Sequence, residues 1–420
     1  MKKIEILKQV AEVMKIDAAC CKDIKDEVLP KYEALINEEM SDNDFLLTIN
    51  SYLCTFSLTG HLFFKKQGNK GLPFRVHRYE NVLYVTDVTK DSNLDVGDKI
   101  VKIDGYSIKD FYKKYEEFFF QESQERQTPH WNFILKFANQ IGYIKQSEEA
   151  IKYWEVELFE WNSEFSPYTF KKINNSTVYL KMEDFVDPVK ISSLCEKYDS
   201  EIRTSKNLIV DVRGNSGGNG ISYYPLLKYC LPNGKTLGDL DLVDNGVLQY
   251  GQEILYTERN CDIRIEIIEE LMQNDLSAEN QDFFKQAINE LRELRGTGFV
   301  KDLEADDIDI AGDSCIEHVY LLTDSSCCSA GDAFVYLFKM LPKVKVFGRP
   351  TKGILDYSNV AYALFDEYAL IYPTSRLLSL DYGKGMMKSG VMVDEYIEWT
   401  PNHLKKDVDL EYVLKLIDIN

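Results

Sequence analysis

Apolar residues recur three and four positions apart over residues 1–65, and two apart or in short unbroken runs over much of the rest of the chain. The first spacing predicts helices, because a turn of 3.6 residues sets such positions on one face. Ile4, Leu7, Val10, Val13 and Met14 form one stripe, and Tyr32 to Ile36 continues a second. Ser41-Asp42-Asn43-Asp44 caps a third helix that carries Phe45, Leu46, Ile49, Tyr52 and Leu53. Residues 81–88 alternate as a half-buried strand does, and within 94–108 a Gly97-Asp98 turn leads into a strand and an Asp104-Gly105 hairpin. Residues 116–176 are rich in aromatic side chains, Phe118, Phe119, Phe120, Trp131, Trp154 and Trp161 among them, which predicts core. Further along, 177–182 predicts a strand, 188–205 a helix, and 207–212 a strand that runs into glycines. A charged stretch, 236–312, is largely helical over 266–294. Strands at 319–323 and 344–347 flank a helix over 332–338, 362–376 pairs as two strands, and 410–417 closes the chain as a helix. There is no internal repeat and no low-complexity linker.

Two breaks between these elements carry candidate chemistry. Ser329 sits in a small-residue turn, Asp324 to Gly331, where a strand gives way to a helix. Such a turn exposes a hydroxyl and aims the first free N–H groups of the helix at an anion beside it. A serine nucleophile needs both, access and donors ready for the oxyanion formed on attack at a carbonyl. The plainer reading makes Ser325, Ser326 and Ser329 turn and N-cap residues. The second break is Arg213 to Gly220. Gly217 and Gly218 let backbone come close to a ligand, although a tight left-handed turn accounts for them equally. The loop is no phosphate cradle, since no Gly-Lys-Ser/Thr follows.

Taken together, these stretches resemble the S41 peptidases, the C-terminal (tail-specific) processing proteases and their tricorn-core relatives. The motifs are Asp211-x-Arg213-x-Asn215-x-Gly217-Gly218, Ser329-Ala330-Gly331-Asp332 and Gly348-Arg349-Pro350-Thr351. The resemblance implies a mixed α/β protein with three parts. These are a helical N-terminal region over 1–70, a PDZ-like β module over 71–115, and a crotonase/ClpP-like β-α superhelical catalytic domain over 116–420 with an insertion at about 236–312. Leu94 to Ile108 is similar to the PDZ signature, though no clear Gly-Leu-Gly-Phe loop precedes it. The family chemistry is acyl transfer without metal or organic cofactor. It implies Ser329 as nucleophile, an oxyanion hole from Ala330 and a glycine of the Gly217-Gly218 pair, and unfolded or tail-exposed polypeptide as substrate. In the tricorn branch the base is a histidine after an N-terminal helix, and His61 has that setting. Processing proteases use a lysine at the position held here by Ile354. Lys352 lies two residues earlier, which on a strand moves the amine by roughly 6–7 Å. It is the alternative base. Asp356 and Asp381 are candidates to orient the histidine. A non-catalytic peptide- or ligand-binding protein on the same scaffold is the alternative function, and Cys327 or Cys328 the alternative nucleophile.

Composition narrows the partners. Lys+Arg 49 against Asp+Glu 69, a formal net charge of −20, argues against nucleic acid in the absence of a basic cluster. Residues 1–30 read as an amphipathic helix and not as a leader peptide, and no run approaches the ~18 apolar residues of a membrane span. Nine scattered cysteines without a Cys-x-x-Cys pair fit reduced thiols in a cytoplasm. Export with a leader outside this chain is the alternative. The sequence assigns no oligomeric state.

Overall fold

The computed structural model describes the chain except for residues 26, 59, 69, 120–122, 161–166, 241–250, 274–277, 304–307 and 420. It is a mixed α/β structure that divides into two compact units. Met1–Gly68, Asn245–Ala305 and Asp356–Gly385 form the first, and the remaining residues form the second. Of the aromatic residues that predicted core, Phe118, Phe119 and Trp131 are buried and Trp154 is half-exposed. Phe120 and Trp161 lie outside the described residues.

The first unit begins with the helix Lys3–Ile16, which buries Leu7, Val10, Val13 and Met14. Ile6 and Ala11 complete that face, while Ile4 stays half-exposed. The second stripe yields only a short helix, Leu29–Glu33. The third runs Asp42–Cys54 behind an N-cap Ser41 that accepts from the Asp44 N–H at 3.1 Å, and all five predicted apolar residues are buried. These helices accompany an antiparallel sheet. Tyr368–Leu377 is its hub, pairing with Tyr357–Phe365, Phe63–Lys66 and Gln252–Tyr256, and the last of these pairs with Gly298–Asp302. The charged stretch thus supplies two strands as well as the helices Glu258–Leu271 and Ala278–Leu294. Arg376, 1% exposed, is held by Asp23, Glu253 and Asp381, three carboxylates that together outweigh the cost of burying its charge.

The second unit contains two larger sheets. In one, Thr177–Met182, Asn207–Asp211, His318–Thr323, Val344–Gly348 and Glu395–Tyr396 run parallel in that order, with Tyr168–Lys172 antiparallel at one edge. The predicted helix over 188–205 is two, Pro188–Lys197 and Asp199–Thr204. A parallel sheet is covered on both faces, which explains the unbroken apolar runs of its central strands. On one face Tyr179, Ile209, Tyr320, Leu322 and Phe347 pack with Val413 of the helix Val408–Ile419. On the other, Phe334 and Phe338 of the helix Ala330–Lys339 meet Phe185 and Tyr223. The register sets Asp211 beside Leu322 and Thr323 beside Gly348. Three central strands therefore end level, and the loops leaving them converge at their carboxyl ends, where open α/β sheets hold their ligands. The other sheet runs Phe74–Tyr79, Val82–Val88, Lys99–Ile103, Gln140–Ile144, Lys152–Glu155, with Phe74–Tyr79 at its edge.

Candidate active site

The glycine-rich loop is folded by its own polar side chains. Asp211, wholly buried, accepts from the Tyr179 hydroxyl at 2.7 Å and from Arg213. Arg213 reaches on to Asp407 and Asp409, pinning the strand end to the start of the last helix. Arg349 joins Asp409 from the third strand end at 2.5 Å. Burial alone would raise the Asp409 carboxyl, but the hydrogen bond with His403 and the Arg349 and Arg213 charges hold it well below the usual carboxylate range. Asn215 then turns the chain. Its amide donates to the Met182 carbonyl at 2.8 Å, and its Oδ1 accepts the Gly217 N–H at 2.9 Å. The Asp-x-Arg-x-Asn run is scaffolding for the two glycines beyond it.

The serine turn is tied to that loop. Asp324 Oδ1 accepts from the Gly214 N–H and from those of Ser326 and Cys327, and the Cys328 N–H donates to the Asn215 carbonyl at 2.9 Å. Ser329 lies at the head of the helix Ala330–Lys339 with φ 58° and ψ −118°, a conformation that L-residues avoid and that costs on the order of 1–3 kcal/mol. Asp332 holds it there. This carboxylate, without exposed surface, accepts the Ser329 N–H at 2.7 Å, the Gly353 N–H at 2.7 Å and the Ile354 N–H at 3.0 Å. Burial raises the Asp332 carboxyl, opposed by the Thr351 hydroxyl and these three N–H groups. Arg126, 5% exposed, supports the same segment by donating to the carbonyls of Thr351, Lys352, Met387 and Lys388.

Ser329, Ala330 and Gly217 are brought together. A β-carbon on Gly217 would stand 2.7 Å from the Ser329 β-carbon and 3.3 Å from the Ala330 nitrogen, so only glycine admits the serine. The Gly217 N–H is already donated to Asn215, which removes it from the oxyanion-hole pair expected from the sequence. Gly218 (φ 142°) lies against the Phe185 backbone in a parallel bridge, and its N–H has no acceptor among the described residues. Ala330, at the first position of the helix, likewise has no intrahelical acceptor for its N–H.

Of the candidate bases, Lys352 belongs to this unit. Its N–H donates to the Cys327 carbonyl at 2.8 Å, in a segment that is not a strand, so the strand spacing does not govern where its amine reaches. Ile354 is buried. His61 belongs to the first unit, where its Nδ1 is 2.6 Å from the Tyr357 carbonyl oxygen. A carbonyl only accepts, so Nδ1 carries a proton, and in the neutral form of the ring the lone pair is that of Nε2, as a general base requires. Asp381 is engaged with Arg376 at 2.8 Å. The thiols are poor nucleophiles. Burial drives Cys327 well above its ordinary range and pushes Cys328 up to about 11 against the opposing Lys352 charge, so neither is a thiolate near neutrality.

Sequence reasoning missed the backbone carbonyl of Tyr357, which carries no side-chain signature, and the anchoring by Asp332 and Arg126. The Ser329-Ala330-Gly331-Asp332 run contained a usable signal for Asp332, a carboxylate three residues into a helix behind a serine.

The chain resembles known proteins in sequence family and in fold. The model of peptidase family S41 matches residues 176–397, more than half of the chain. Mature CPAF complexed with lactacystin superposes with a TM-score of 0.60 at 11% identity, over 99% of this chain and 97% of CPAF. A CPAF mutant gives 0.62 at 12%, over 99% and 96%. The photosystem II D1 C-terminal processing protease gives 0.47 at 12%, over 99% and 97%. The likeness to CPAF is one of fold. No curated protein sequence matches the chain.

Proposed function

The chain belongs to peptidase family S41 and is a serine-type peptidase, and from that premise we propose that it is an endopeptidase with Ser329 as nucleophile and His61 as base. Its substrates are unfolded or tail-exposed polypeptides. The observation that carries this reading is the conformation of Ser329. A serine held at φ 58° by a buried carboxylate, with glycine forced opposite its β-carbon, is strain maintained at one residue. Strain of this kind belongs to functional sites.

In the reaction, Ser329 Oγ attacks the scissile carbonyl while His61 Nε2 takes its proton, the Tyr357 carbonyl stabilising the imidazolium through Nδ1–H. The N–H groups of Ala330 and Gly218 receive the oxyanion. His61 then returns the proton to the leaving amine, and water repeats the sequence on the acyl-enzyme. Lys352 is the second candidate base, favoured by its place in the same segment as Gly353 and Ile354.

We assign the parallel sheet with its helices to a crotonase-like catalytic core and the sheet led by Phe74–Tyr79 to a PDZ-like module that packs and does not recruit. A PDZ-like module takes a peptide as an added strand along an open edge. Here the edge residue Val76 has both its N–H and its carbonyl engaged by the Asn132 side chain, at 2.8 and 3.0 Å. A cytoplasmic location is part of the same reading.

Incubation with reduced, alkylated casein tests it. Wild-type protein should release internal fragments and Ser329→Ala none. Fragmentation that persists in Ser329→Ala would defeat the proposal.

A further inference from the structure

Within the first unit, residues 252–294 form an open pocket whose lining includes none of the residues assigned to catalysis above. The strand Gln252–Tyr256 and the helices Glu258–Leu271 and Ala278–Leu294 surround about 300 Å³, lined by Tyr256, Ile267, Ile268 and Leu291 together with two charged side chains, Arg264 and Glu290.

Arg264 is the unusual member. Its Nη2 donates to Thr374 Oγ1 at 2.6 Å, and its guanidinium carbon lies 5.7 Å from the centroid of the Tyr256 ring. Among the described residues no carboxylate reaches it at ion-pair distance. The contrast within the chain is sharp, because Arg213, Arg349 and Arg376 each engage two or three carboxylates. Acidic side chains are in excess, so pairing Arg264 would have been easy. Burial lowers its hold on the proton, the expected sign of a charge removed from water without a counter-ion. Glu290 also lacks an ion-pair partner among the described residues and sits at the exposed rim of the same pocket.

A cation and an anion that line one apolar pocket without meeting each other suit a ligand that carries both charges and an apolar body. The planar guanidinium matches a carboxylate with two parallel hydrogen bonds. The volume is at the small end of ligand sites, which favours a single amino acid over a chain of them. We propose that this pocket binds a free α-amino acid with an apolar side chain. The carboxylate lies on Arg264, the ammonium faces Glu290, and the side chain packs among Ile267, Ile268 and Leu291.

Calorimetric titration with leucine and three partial analogues tests this. 4-Methylpentanoate lacks the ammonium, 3-methylbutylamine the carboxylate, and glycine the side chain. Leucine should bind saturably and more tightly than any of the three, with loss of the carboxylate costing about tenfold or more, the scale of a charge-assisted contact. Arg264→Met should weaken leucine about as much. Glu290→Gln, at an exposed position that tolerates exchange, should weaken leucine while leaving 4-methylpentanoate unchanged. Absence of saturable leucine binding to the wild-type chain would overturn the proposal. So would leucine affinity that survives both substitutions, or 4-methylpentanoate binding as tightly as leucine.

Discussion

Replacing Ser329 by glycine should make the protein more stable and inert. Ser329 holds φ 58° and ψ −118°, which is accessible to glycine without steric cost. Releasing that strain is worth about 1–3 kcal/mol. Two effects oppose it: the greater freedom of glycine in the unfolded chain costs about 0.4–1 kcal/mol, and the change of helix cap costs a few tenths. The net expectation runs from about no change to a gain of about 2 kcal/mol over wild type. Ser329→Ala retains a β-carbon and therefore the strain, so Gly should exceed Ala by about 1–2 kcal/mol although both lack the hydroxyl. All four tryptophans belong to the second unit, so urea unfolding followed by tryptophan fluorescence reads the unit in which the change is made. If Ser329→Gly proves less stable than Ser329→Ala, the backbone at this position is not strained, and the chief support for the nucleophile assignment is lost.

Three further outcomes are expected. Gly217→Ala sets a β-carbon 2.7 Å from that of Ser329 at a φ of 87°, and should cost at least about 2 kcal/mol and abolish turnover; near-wild-type activity would show the loop to be more yielding than its close contacts imply. Asp332→Asn replaces an acceptor of four donors by a group that turns an N–H₂ toward one of them. The N–H₂ facing a buried N–H leaves that donor unsatisfied and sets two donors against each other, a loss of about 1–3 kcal/mol; urea midpoint and turnover should both fall, and an unchanged midpoint would contradict the anchoring role. Asp409 gives a pH signature. Its folded carboxyl is depressed below the ordinary value of about 3.9, so in acid the unfolded chain binds a proton that the folded chain refuses. Its contribution is complete above that value and is lost as pH falls from there through the lower folded value, and Asp409→Asn should flatten that limb of the stability–pH curve while lowering stability at neutral pH.

The central strands of the parallel sheet were legible because both faces of the sheet are covered, which leaves short apolar runs such as Leu208-Ile209-Val210 bounded by polar and glycine-rich turns. The strands Gln252–Tyr256 and Gly298–Asp302 were not, since each is short, only partly apolar, and stabilised by pairing across residues distant in sequence. The turn holding Ser329 could be read from its small residues, and its backbone angles could not. Gly217 and Gly218 stood out as a pair, but their division of labour depends on one side-chain oxygen, Oδ1 of Asn215. The support for His61 was invisible for a simpler reason: a carbonyl oxygen belongs to every residue, and nothing in Tyr357 announces that its own is the one used.

Fluorophosphonate labelling of the purified chain, with the modified residue located by mass spectrometry, bears most directly on the assignment of nucleophile and base. A single adduct on Ser329 is expected, absent from Ser329→Ala, lost in a folded His61→Ala and retained in Lys352→Met. An adduct at another residue, or full-rate labelling of Ser329 in His61→Ala, would contradict the assignment.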